Sequence, residues 1–229
     1  MTKEQIIDKK WVIPQSQWQL LLSQFGDETK YGIYFGHELQ GKRQVIENLY
    51  EMVKGGILLP ERGKLVIAGE YRRLLEISAR AKKGCYVENK EEGGNLFIYL
   101  EEESVLCEPS PARKNCFLFS IKKREELLDY LLENNYFPRY QMESNKDFLQ
   151  KENGEVWDCY KVKKSITFFD ITKEEKLAQI LITNEKGEEY LIWEERDNRG
   201  KKLLSEKCLK KVWKELIDNV VCRSAGTHI

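Results

Sequence analysis

The sequence predicts an α+β protein with a large, mainly antiparallel sheet, made by an internal duplication of four strands plus a helix. A helical segment with a small hairpin precedes it. Three observations predict this. Residues 1–83 carry apolar side chains mostly at helical spacing, residues 84–137 and 156–229 each carry four short β-rich runs, and each of those stretches closes on an amphipathic helix. The expected organisation is therefore a helical segment over 1–83, a first strand-rich repeat over 84–137, a linker over 138–155 and a second repeat over 156–229, forming one compact body.

In the first segment, Trp18, Leu21, Leu22 and Phe25 recur at i, i+3, i+4, i+7, so a helix is expected over Pro14–Phe25, with proline opening it and Gly26 stopping it. A second helix over Arg43–Lys54 places Val45, Leu49, Met52 and Val53 on one face and ends at Gly55-Gly56. Ile57–Leu59 and Lys64–Ile67 flank Pro60-Glu61-Arg62-Gly63, a turn composition that predicts a short hairpin. A third helix over Glu70–Lys82 carries Tyr71, Leu74, Leu75 and Ser78 on one stripe.

The first repeat has strands at Cys85–Glu88, Leu96–Leu100, Val105–Glu108 and Cys116–Ile121, then a helix at Lys123–Asn134. Apolar residues alternate on both sides of Leu96–Leu100, the pattern of a strand covered on both faces. Residues 138–155 are polar, with a short helical piece around Asp147–Gln150. The second repeat has strands at Val156–Val162, Ile166–Ile171, Leu177–Thr183 and Tyr190–Glu194, with turns at Gly187 and Asp197–Gly200. A helix follows over Ser205–Val220, Ser205 being its natural N-cap. Thr172 and Glu175 also form a capping-box pattern that would make 172–182 helical; the β-rich surroundings favour strand.

Composition excludes more chemistry than it suggests. The chain has 229 residues, 41% hydrophobic, enough for a substantial core, and its 38 Lys and Arg balance 38 Asp and Glu, so no global field recruits nucleic acid or an anionic membrane. Residues 1–10 are polar, with no signal-peptide core, and no apolar run reaches membrane-helix length, so a cytoplasmic protein without a membrane partner is expected. Six cysteines show no C-x-x-C spacing and read as reduced, mostly buried small hydrophobes. The two histidines, His37 and His228, have no ligand-spaced companion, so no metal site is expected. Phosphate loops, dinucleotide fingerprints and nucleophile elbows are absent, and no cofactor is expected. Adjacent carboxylates such as Glu91-Glu92 and Glu194-Glu195 sit in turns or at strand ends beside lysines, where solvated charge explains them, and a non-enzyme is expected.

Residues 41–84 hold ten Lys and Arg against five Glu. Their helix–hairpin–helix order resembles part of a winged-helix domain, which implies as an alternative a DNA-binding regulator using Lys42, Arg43, Arg62, Lys64, Arg72 and Arg73. No helix-turn-helix is evident ahead of the hairpin, because residues 26–40 are rich in glycine and aromatics.

Taken end to end, the element order resembles the EspG family of type VII secretion chaperones. The resemblance begins at Glu51-Met52-Val53-Lys54-Gly55-Gly56-Ile57-Leu58, a helix ending on glycine before a short apolar strand, and runs through the third helix, strands 85–121 and the helix at Lys123, returning over 156–220. It implies a quasi-two-fold strand-rich centre with helical bundles, and a non-enzymatic cytosolic protein that holds a helical secretion substrate soluble. The chain departs from the family in its shorter length, in a second half without most of the helical insert, and in loop 89–95, a short turn where the family has a long partner-contacting loop. Such a chaperone needs an exposed apolar patch rimmed by charge. The expected place is the turn at Gly93-Gly94, where Lys90, Glu91 and Glu92 adjoin Leu96, Phe97 and Tyr99.

Overall fold

A computed structural model describes residues 9–24, 41–89, 94–137, 161–185, 187–195 and 198–222. Along them run β1 (Lys10–Pro14), α1 (Gln15–Ser23), α2 (Lys42–Lys54), β2 (Leu58–Glu61), β3 (Lys64–Ile67) and α3 (Gly69–Arg80). The first repeat follows as β4 (Lys83–Asn89), β5 (Gly94–Leu100), β6 (Glu103–Pro109), β7 (Cys116–Lys123) and α4 (Leu127–Glu133). The second is β8 (Lys161–Asp170), β9 (Glu175–Glu185), β10 (Glu188–Glu195), β11 (Asn198–Leu203) and α5 (Glu206–Cys222). Four strands and a helix thus occur twice, and nine strands join in the order β1-β7-β6-β5-β4-β8-β9-β10-β11, while β2 and β3 pair separately. Apart from β1 at one edge, the order counts upward in both directions from the β4–β8 pair, so each repeat is a meander of consecutive hairpins.

The chain divides into two units interleaved in sequence: Met1–Lys82 with Phe97–Arg124 and Ile171–Lys173, and Lys83–Leu96 with Glu125–Asp170 and Glu174–Ile229. In the first, β1 is a strand where the sequence predicts only helix and hairpin. Trp11 and Ile13 point inward and Val12 outward, the period of two on which a half-covered strand depends. β1 pairs antiparallel with β7, Trp11 opposite Phe119 and Ile13 opposite Phe117. Pro14 ends the strand and precedes α1, which buries Trp18, Leu21 and Leu22. The Trp18 ring lies 4.2 Å from that of Phe119, and its indole N–H donates to the Tyr99 hydroxyl at 3.4 Å. α3 buries Leu74, Leu75 and Ile77, packs against β6, and ties Arg73 to the carboxylate of Glu103 on that strand.

In the second unit, β4 and β8 pair with Val87 opposite Ile166 and Asn89 opposite Lys164. Those last two residues serve one acceptor. Asn135, in the left-handed region just beyond α4, offers its carbonyl to Asn89 Nδ2 at 3.2 Å and to Lys164 Nζ at 3.1 Å. A buried lysine thereby meets the negative end of a helix. β8 is one ten-residue strand through Lys163-Lys164-Ser165, where the sequence predicts two strands with a break between them. Its polar residues stay in the strand because each has a partner: Lys164 has Asn135, and the Ser165 hydroxyl reaches Glu88. The 156–160 part of the earlier predicted strand and the helical piece around Asp147–Gln150 lie outside the described residues.

The 172–182 competition resolves to strand, since Ile171–Glu174 form a turn, with Glu174 in the left-handed region, and β9 follows. β11 replaces most of the turn predicted at Asp197–Gly200; Trp193 of β10 stands opposite Gly200 in the register. The Ser205 cap of α5 is as predicted, its hydroxyl accepting from the Cys208 N–H at 3.2 Å. Leu209, Trp213 and Leu216 are buried, with Trp213 tilted against Phe168 at 5.7 Å.

Candidate partner-binding surface

The turn between β4 and β5 does not present an apolar patch from its flanking strand. Lys90, Glu91 and Glu92 lie outside the described residues. Leu96, Phe97 and Tyr99, expected beside them, are fully buried. Phe97 and Tyr99 meet edge to face at 4.9 Å, and Tyr99 continues into Trp18. These aromatics fill the core of the protein, as the apolar residues on both faces of the strand suggest.

Exposed apolar surface gathers elsewhere. The large hydrophobic side chains exposed among the described residues are Val12, Ile46, Tyr50, Leu59 and Leu65, four of them within α2 and the β2–β3 hairpin. α2 explains itself on a helical wheel. Its apolar arc runs from Met52 through Val45, Leu49, Val53 and Ile46 to Tyr50, about 160° at ~100° per residue. Only the Met52 end of that arc is buried, while Ile46 and Tyr50 at the other end are 58% and 66% exposed. The face chosen from sequence, Val45, Leu49, Met52 and Val53, omits those two. The signal that finds them is the arc's width, greater than one packed face requires.

The hairpin follows directly. Ile57 N–H donates to the Met52 carbonyl at 2.9 Å, Ala68 N–H donates to the Ile57 carbonyl at 2.9 Å, and α2 packs on β2. Its turn is tighter than the Pro60–Gly63 turn predicted: β2 extends to Glu61, and only Arg62 and Gly63 link the strands, with φ of 50° and 77°. Two successive left-handed residues suit the twist of a hairpin, but the first place ordinarily goes to asparagine or glycine. Leu59 and Leu65 are 46% and 47% exposed.

The six basic candidates separate into two sets. Lys42 and Arg43 occupy the first turn of α2, and Arg62 and Lys64 the hairpin tip; all four are exposed. Arg43 reaches Glu47 at 2.8 Å across an exposed turn, an interaction of small worth. Arg72 is bound to Glu76 on its own helix at 2.9 Å, and Arg73 is engaged with Glu103.

Elsewhere among the described residues, burial and ion pairing account for the displaced thiols and carboxyl that follow. Burial pushes the Cys85 and Cys107 thiols well up, with the Glu108 charge adding to the second, which suits inert small hydrophobes. Partial burial opposes ionisation of Glu194, but hydrogen bonds from Lys176 and Arg199 outweigh it and hold the carboxyl below its usual range. No cluster of His, Cys, Asp or Glu among the described residues could hold a metal ion, and no helix among them is long and apolar enough to cross a membrane. His37 and His228 lie outside those residues.

Among solved structures, the chain is similar to the Mycobacterium tuberculosis type VII secretion system chaperone EspG5, determined in complex with a PE25–PPE41 dimer. The TM-score is 0.55 at 7% identity, over 93% of this chain and 97% of that one. The likeness is one of fold. The resemblance to EspG chaperones read from element order therefore holds in the arrangement of the chain, nearly end to end in both proteins. No family model and no curated protein matches the sequence.

Proposed function

We propose that this chain is a non-enzymatic, cytoplasmic binding protein, an EspG-like chaperone or adaptor that keeps a helical secretion substrate soluble. The observation that carries the reading is the shared fold with EspG5, a chaperone, over 93% of the chain. Exposed apolar side chains on α2 and the hairpin supply what such a task requires, since covering another protein's apolar helices takes apolar surface of one's own. In this reading Lys90, Glu91 and Glu92 contribute charge to the partner contact. The deciding experiment is co-expression with a small helical-hairpin protein encoded beside this chain's gene. A stable complex that persists in high salt, with the partner insoluble alone, is the expected result; a partner that is soluble alone and never associates overturns the reading.

A DNA-binding role is the second reading, favoured by the exposed cations Lys42, Arg43, Arg62 and Lys64. Arg73 serves it poorly, being held by Glu103 in a part-buried pair, while Arg72 is exposed and tied to Glu76 only by a surface pair of the Arg43–Glu47 kind. A duplex titration at two salt concentrations separates the readings, because phosphate contacts weaken steeply as salt rises.

A further inference from the structure

Resting on the chaperone reading, we propose that α2 and the β2–β3 hairpin form the surface on which a partner's amphipathic helix with acidic flanks docks. The apolar part of the surface fits a helix. Ile46 and Tyr50 stand one turn apart on α2, more than half exposed, and residues four apart form the kind of ridge that the groove of a second helix accepts. Leu59 and Leu65 expose further apolar surface on the hairpin that leaves the end of α2.

The charges set the partner's sign. Lys42 and Arg43 precede the ridge, Lys54 follows it, and Arg62 and Lys64 are exposed at the hairpin tip. The first turn of α2 contains no carboxylate, and Gly41 gives no side-chain cap. Two cations there add to the positive end of the helix dipole instead of offsetting it, which weakens the isolated helix. Carboxylates from a partner make the same arrangement favourable.

Two other occupants fit less well. A second copy laid antiparallel on α2, Ile46 against Tyr50, brings Lys42 of one helix beside Lys54 of the other, and like charges repel. An anionic bilayer meets Glu47, Glu51 and Glu61 within the same stretch, five cations against three carboxylates over residues 42–67, below the clusters of ~4–8 uncompensated basic residues that hold proteins to membranes.

The test uses the full chain and synthetic amphipathic helical peptides with a leucine stripe, flanked by glutamates or by lysines. The glutamate peptide is expected to bind and the lysine peptide to bind at least about tenfold more weakly; backbone amides of 42–54 and 58–67 gain hydrogen-exchange protection. Ile46→Asp with Tyr50→Asp is expected to weaken binding roughly tenfold or more. Lys42→Glu with Lys54→Glu touches only exposed lysines, so it decides the matter even if the first variant folds poorly, and it is expected to reverse the preference between peptides. Equal binding of both peptides, protection elsewhere, tighter binding to phosphatidylserine vesicles, or self-association lost in the Asp variant overturns the proposal. None of these touches the co-expression result on which the chaperone reading stands or falls.

Discussion

At single positions the structure makes sharp demands. Gly200 is one: a Cβ there would lie 2.0 Å from the Trp193 ring, so the indole covers the glycine across the β10–β11 pair. Gly200→Ala should cost about 1–3 kcal/mol, the usual penalty of overpacking, measured as a shift of the urea midpoint. Trp193→Ala should remove most of that penalty in a double-mutant cycle, because the three atoms nearest the added Cβ all belong to that ring. Arg62 is a second such position. A bulky residue in the left-handed region costs ~1–2 kcal/mol, so Arg62→Asn should raise the melting temperature. The same change removes a cation from the proposed docking surface and should weaken glutamate-peptide binding, a trade of stability against recognition.

At the level of elements, Glu194 joins three strands. Its carboxylate accepts from Lys176 of β9 at 3.1 Å and from Arg199 of β11 at 2.6 Å. The folded carboxyl titrates below its unfolded counterpart, so the stability it adds is complete above the ordinary carboxylate pKa. That stability is lost as pH falls through the depressed value. Glu194→Gln should be less stable than wild type near neutrality and lose less on acidification; parallel acid-denaturation curves would remove the carboxylate from the account. Such cross-strand ties also explain what the sequence left unread. β11 reads Asn-Arg-Gly-Lys-Lys-Leu, with a single apolar residue, and becomes a strand through its neighbour β10 and not through its own pattern. β1 offers only Trp11, Val12 and Ile13 before Pro14, too short a run to count alternation. α2, α3, β5 to β7, α4 and α5 were legible because their apolar periodicity is long enough to separate 3.6 from 2, while the β2–β3 hairpin was legible from its Pro-Glu-Arg-Gly turn.

For the whole molecule, the repeated order of four strands and a helix could be read from sequence, while the exposed apolar side chains could not be placed. Periodicity reports that a side chain is apolar and which face it shares; it does not report whether another element covers that face. Hence Phe97 and Tyr99 looked like a docking rim and are core, while Ile46 and Tyr50 went unremarked. Lys90→Glu with Glu92→Lys, in the stretch the sequence reads as a solvated turn, should leave the melting temperature unchanged, since charges in such a turn act within ~0.5 kcal/mol, and should alter only the association rate with a co-expressed partner. The β4–β8 pair carries a further consequence, for the ribosome. Asn89 meets Lys164, a partner not yet synthesised when β4 leaves the exit tunnel. At ~5–20 residues per second, β4 waits several seconds for β8, and β1 waits longer still for β7. A nascent chain with unsatisfied strand edges for that long is a client for holdases, so this protein should depend on early chaperone capture during its own translation.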